Sequence, residues 1–184
     1  MPELEPNGWR IMTRLIGLLA ILFGLTATGA FGQHAAAKPV TVDIVNAQGK
    51  TVGTATLSPA ANGVTIKLDI KSLPPGPHLM HIHEFPKCEP PDFKSAGSHF
   101  NAGGEHHGEH EHTGLPAGDI PNFVLQVSAD GTAHTSVVAP GVSFGTEKNS
   151  VFSNGGTALI IHAVAVEVSA SAPPRIACAV ITKP

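Results

Sequence analysis

Charge is scarce in this chain. Only 14% of its 184 residues are Asp, Glu, Lys or Arg, and the net charge is −3. No basic patch exists to neutralise a phosphate backbone, which excludes nucleic acid as a partner, and no acidic tail points to a cationic one. Long apolar runs are missing as well. The greasiest stretch, residues 11–25 "IMTRLIGLLAILFGL", is interrupted by Arg14 and falls short of the ~18 unbroken apolar residues that a membrane span requires. Its layout is that of a secretory leader: Arg10 and Arg14 at a basic start, a short apolar stretch, then small residues in "TATGAFGQ". A cleaved signal peptide over residues 1–32 is expected, cut after Gly32 or after Ala30, giving a periplasmic or secreted product with no stable membrane insertion. Its removal leaves the net charge unchanged, because Arg10 and Arg14 leave with Glu3 and Glu5. Cysteine is nearly absent. Cys88 and Cys178 are the only two, and both lie in the exported portion, where an oxidising compartment favours a disulfide between them. Such a bridge closes a loop of about ninety residues and stabilises by up to about 4–5 kcal/mol in the chain-entropy model. Two free thiols serving a metal ion are the alternative.

Helical periodicity is the last absence: none persists beyond the leader. From Val40 onward the pattern is short and period-two. "VTVDIV", "TVGTATL", "GVTIKLDI", "HLMHIHE", "NFVLQVS", "TAHTSVVA", "TALIIHAVAVEV" and "RIACAVI" are β-branched-rich or alternating runs. "NAQGK", "SPAANG" and the dipeptides Asp130-Gly131 and Asn154-Gly155 mark turns between them. About eight short strands at this spacing predict an all-β, antiparallel sandwich or flattened barrel. Residues 39–184 suit one domain, long enough to bury about 70% of its unfolded surface. Two segments read as long loops, residues 85–120 and 167–174, and the first exceeds the length at which loops are usually functional or disordered.

That first loop holds "SAGSHFNAGGEHHGEHEHTGLPAGDIPN", with His99, His106, His107, His110 and His112 in a glycine-rich run. Upstream, "GPHLMHIHE" places His81 and His83 two apart on a predicted strand. Both therefore project from one face, with Met80 and Ile82 on the other. His78 has the parity of the core side and reads as a buried, hydrogen-bonded support. Two same-face imidazoles on a rigid strand form half of a metal site suited to copper, zinc or iron. Alone, the pair could equally be surface histidines on an edge strand. His162 shifts the balance, because it follows "ALII", a run apolar on both faces, where an imidazole needs a partner. Arg175 precedes Cys178 in "RIAC", so a Cys88–Cys178 bridge would bring the histidine loop close to this arginine.

Taken together, "GPHLMHIHE", "KCEPPDFKSAGSHFN", "AGDIPN", "ADGTA", "ALIIHA" and "RIACAVI" resemble, in order, the blocks of exported bacterial copper,zinc superoxide dismutases. The resemblance runs from about Val40 to Ile181. It implies a Greek-key β-barrel or sandwich, the architecture for which this family is known. It also implies conversion of superoxide to oxygen and hydrogen peroxide by copper redox cycling. His81, His83 and His162 match copper histidines, and His99 matches the histidine that bridges copper to zinc and takes up and returns a proton in the cycle. Cys88 and Cys178 match the family's disulfide, and His78 the histidine behind the copper strand. Arg175 matches the arginine that guides the anion, steering being a known property of the family. An ordinary strand-end charge is the plainer reading of Arg175. The family includes dimers and monomers, so a homodimer is a candidate state.

The zinc side departs from the family pattern. His107 and Asp119 match two zinc ligands beside His99, but Pro116 stands where a third zinc histidine should be, and proline has no ligating side chain. The segment "AVAVEVSASAPP" between His162 and Arg175 is too short for the family's charged loop, and Glu167 is its only charge. Three readings follow: a copper-only enzyme; a zinc site completed by His110 or His112, reached through the flexible "GEHHGEHEH"; and a solvent-facing collector of metal ions, compatible with either. The rival function is a non-enzymatic exported copper store or chaperone on the same fold.

Overall fold

The computed structural model describes residues 37–102, 115–163 and 173–184. Their regular structure is almost wholly β. The strands are β1 (Val40–Asn46), β2 (Thr51–Ala60), β3 (Gly63–Ile70), β4 (Gly76–His78), β5 (Met80–His83), β6 (Leu125–Val127), β7 (Ala133–Ala139), β8 (Thr157–His162) and β9 (Arg175–Ile181). Single 3₁₀ turns lie at Lys94–Ala96 and Ser153–Gly155. The expected leader lies outside the described residues. Among the described residues, no helix is long and apolar enough to cross a membrane.

Local chemistry sets the hairpins. At the β1–β2 turn the Asn46 side chain accepts the N–H groups of both Gln48 and Lys50, each at 3.0 Å, and so takes over the closure that a longer ladder would give. The Asp130-Gly131 turn is closed in the same way, by the Thr132 N–H donating to Asp130 Oδ1 at 3.0 Å. Seven strands form one antiparallel sheet in the order β5-β8-β9-β1-β2-β3-β7, and β4 pairs with β6 in a second. β7 lies beside β3 although β4, β5 and β6 come between them in sequence, a long crossover of the kind a Greek key uses. The expected "HLMHIHE" strand is divided: only Leu79 separates β4 from β5, so the chain passes there from one sheet to the other. The described residues therefore hold nine strands, where the sequence pattern gave about eight.

Two cores meet on β8, which explains why all six of its residues are buried. Alternation sends Leu159 and Ile161 into the main core, with Met80 and Ile82 of β5 and Ala177 and Ala179 of β9. Ala158, Ile160 and Cys178 point the other way and are covered by Phe93 and Ala96 of the 85–100 loop. The Cys88–Cys178 disulfide, with Cα atoms 5.6 Å apart, ties this loop to the sheet. The loop is thus a lid over the outer face of β5, β8 and β9, fastened covalently and by packing.

Candidate metal centre

His81 pairs with Ile160 and His83 with Ala158, so both imidazoles rise on the outer face beneath the fastened loop. The loop returns alongside β5. Glu84 N–H donates to Ser98 (3.0 Å), Phe100 N–H donates to Ile82 (2.8 Å), and His99 forms a bridge opposite His83. This backbone pairing delivers His99 to the first two rings. His162 arrives from β8 through an irregularity in the β8–β9 ladder. Ile161 pairs with Ala177 but His162 pairs with Arg175, so Ile176 is the extra residue of a bulge that turns Arg175 toward the site.

The four histidines converge. One ring nitrogen from each of His81, His83, His99 and His162 lies within 4.8 Å of all the others. The His81 and His99 rings stack with centroids 4.2 Å apart, and His81–His162 and His83–His99 lie at 5.1 and 5.0 Å. Among the described residues no other group of His, Cys, Asp and Glu donors gathers in this way.

In three of the four rings the other nitrogen is held by an acceptor. His83 Nδ1–H donates to the Gly97 carbonyl (2.9 Å), His162 Nδ1–H to the Pro173 carbonyl (2.9 Å), and His99 Nδ1–H to the Asp119 carboxylate (2.7 Å). Since these partners only accept, each neutral ring carries its hydrogen on Nδ1 and its lone pair on Nε2. His83 Nε2 and His81 Nδ1 are buried and have no hydrogen-bond partner. A buried orphan nitrogen costs about 1–3 kcal/mol, and a metal ion at the centre would remove that cost. The donor set therefore fits a metal.

Arg175 donates through one terminal nitrogen to the Phe93 carbonyl and through the other to the Gly97 carbonyl, both at 2.7 Å. The Gly97 oxygen thus receives hydrogens from both Arg175 and His83 and locks the half-buried cation to the cluster. Gly97 itself has φ +78°, and a side chain there would strike Glu84 and Phe85. His78 is buried behind the site, with Nδ1 2.7 Å from the His162 carbonyl and Nε2 2.8 Å from that of Pro74.

Burial lowers the His81 pKa from 6.5 to about 4, helped by the neighbouring His99 and His162. It lowers that of His83 to about 2, although its hydrogen bond to Gly97 opposes the shift. Both rings are therefore uncharged at neutral pH, each with one nitrogen lone pair available to a metal. In the unfolded chain they would take up protons near 6.5, which the folded protein refuses. Stability is full above pH 6.5 and falls as the pH drops from there toward the folded values. The melting temperature of metal-free protein, followed by circular dichroism, is expected to fall between about pH 6.5 and 5, before ordinary carboxylates near 4 begin to titrate.

A family model for copper/zinc superoxide dismutase (SODC) matches residues 51–181. The chain belongs to the copper/zinc superoxide dismutase family. It is 40% identical over 170 residues to "Superoxide dismutase [Cu-Zn] 1" of Aquifex aeolicus, covering 89% of this chain and 95% of that one. A crystal structure of a proline-to-histidine mutant of a SOD-like protein from Bacillus subtilis superposes with a TM-score of 0.68 at 35% identity, over 78% of this chain and 97% of that one. The Cu/Zn superoxide dismutase of Brucella abortus gives 0.60 at 30%, over 78% and 99%.

The fold expected from the family resemblance is the fold observed, and the two cysteines form the expected bridge. His81, His83, His99 and His162 come together, with Arg175 fastened beside them and His78 behind. Asp119 lies against His99. His106, His107, His110, His112 and Glu167 lie outside the described residues. Sequence reasoning missed Gly97, whose contribution is a carbonyl, and the bulge that aims Arg175. The "SAGS" turn hinted at the first, and nothing in the residue pattern marked the second.

Proposed function

We propose that the protein is an exported superoxide dismutase working with one copper ion held by His81, His83, His99 and His162. The observation that carries this reading is the cluster of four imidazole nitrogens within 4.8 Å, two of them buried without a hydrogen-bond partner. Copper bound there supplies one-electron chemistry in both directions, which redox-inert zinc does not. Overall, one superoxide gives up an electron to become oxygen, and a second takes it with two protons to become hydrogen peroxide. The Arg175 guanidinium, fixed by the Phe93 and Gly97 carbonyls, keeps N–H groups and a positive charge for a small anion. His83 and His162 hold their protons on Nδ1 against carbonyls, so their rings neither rotate nor present N–H groups to the centre. Residues 1–32 act as the cleaved leader, residues 39–184 form the exported domain, and the disulfide suits the oxidising compartment that results.

Zinc is not part of this reading. Pro116 brings no donor side chain, and its carbonyl accepts the Asp119 N–H at 3.0 Å. A proline-to-histidine change has been made in the Bacillus subtilis relative, the same direction of change as Pro116→His here. The copper store on the same fold is the weaker reading, because storage gives no use to a fixed cation beside the cluster. Metal analysis after reconstitution with both metals tests the assignment. One copper and no zinc per chain, with superoxide consumption proportional to copper and zinc gained in Pro116→His, is the expected result. Full zinc in the unmodified protein, or copper without activity, would overturn it.

A further inference from the structure

We propose that Asp119 works as the positioning residue of His99, a carboxylate–imidazole pair taking the place that a second metal ion would occupy on the Nδ1 side of that ring. The proposal rests on the copper reading above and extends it. The His99 Nδ1–Asp119 Oδ1 distance is 2.7 Å, and the two side chains are only 22% and 18% exposed. A carboxylate accepts and does not donate, so the pair keeps the His99 hydrogen on Nδ1 and leaves Nε2 as the donor to the cluster. It also fixes the plane of a ring stacked 4.2 Å from His81. Carboxylates behind metal-bound histidines orient the ring and raise its basicity.

Asp119 is placed for this by the backbone. Its neighbour Gly118 donates to the Phe100 carbonyl (2.8 Å) and accepts from the Ile82 N–H (2.9 Å). Phe100 follows His99 in sequence, and Ile82 lies between His81 and His83. The strand carrying two of the histidines, the segment carrying the third and the carboxylate that holds it are thus stitched at one point. Only glycine fits there, because a side chain on Gly118 would strike the Ile82 carbonyl. On the other side, the Asp119 N–H is turned back onto Pro116 (3.0 Å). Pro116 thereby contributes a carbonyl that closes the Asp119 turn, a task for which no imidazole is needed.

The test uses the processed protein and its Asp119→Ala and Asp119→Asn variants. In the metal-free wild type at mildly alkaline pH, ring ¹⁵N NMR should find His99 as the Nδ1–H tautomer. Chelator competition should show Asp119→Ala weakening copper(II) binding by about 10–100-fold, with an altered EPR spectrum. Asp119→Asn keeps an acceptor oxygen and should recover most of both. Unchanged affinity and spectrum in Asp119→Ala, or an Nε2–H tautomer in the wild type, would overturn the proposal. So would stoichiometric zinc binding lost equally in the Asn and Ala variants, which would make Asp119 a ligand. Failure of the wild type to bind copper would sink the copper reading instead, while the tautomer of metal-free protein still judges the pair.

Discussion

Replacing His83 with leucine is expected to separate metal binding from folding. In the metal-free protein His83 is buried, its Nε2 has no hydrogen-bond partner, and its Nδ1 shares the Gly97 carbonyl with Arg175. Leucine has a similar volume and buries no polar atom. The Gly97 oxygen stays satisfied by Arg175, so no new orphan is created. Metal-free His83→Leu should therefore melt at or above the wild-type temperature, gaining up to about 1–3 kcal/mol from the lost orphan. Copper affinity should fall by more than the roughly 10–100-fold typical of losing a partner behind a ligand, and superoxide consumption should disappear. Melting curves with and without copper check both halves. A variant that is destabilised without metal yet still binds copper tightly would show His83 to be a structural histidine.

Arg175→Glu should do the reverse, keeping copper and losing the substrate. Arg175 supplies no ligand to the four-nitrogen cluster, and only one N–H from each of its terminal nitrogens goes to Phe93 and Gly97. Charge reversal turns attraction of a small anion into repulsion, and fields of this kind change association rates by about 10–10³-fold. The second-order rate with superoxide should fall by that order while copper stoichiometry remains one per chain. Arg175→Gln should lie between the two, and the gap between Glu and Arg should narrow as salt screens the charge, with a Debye length of ~10 Å at 0.1 M. Arg175→Lys keeps the charge but not the two-pronged grip on the two carbonyls, so it should recover only part of the rate. Equal rates for Arg and Glu would mean that the cation serves only to fasten the loop.

Side-chain parity was legible in the sequence, and with it half of the site. Alternation in "MHIH" placed His81 and His83 on one face and Met80 and Ile82 in the core, where the structure has them. The doubly apolar "ALII" correctly marked β8 as covered on both sides, which made His162 conspicuous. Register and backbone geometry were not legible. Nothing in "HLMHIHE" announces a change of sheet at Leu79, since the alternation runs on undisturbed across it. The bulge opposite His162 depends on how β9 pairs with β8, and pairing between remote strands leaves no local pattern. Gly97 acts through its carbonyl and Gly118 through the absence of a side chain, so neither could appear in a search for donor side chains. Asp119 was legible as a metal-side carboxylate by resemblance, but its hydrogen bond to His99 emerges only when the backbone of Gly118 is threaded between Ile82 and Phe100.

Catalysis at the four-histidine centre is tested by counting turnovers. Protein carrying one copper per chain is mixed with an excess of superoxide, and the oxygen and peroxide formed are measured against copper. Many superoxide ions should be consumed per copper, with oxygen and hydrogen peroxide formed in equal amounts and copper retained throughout. Consumption that stops at about one superoxide per copper would contradict catalysis and leave a redox-active copper store.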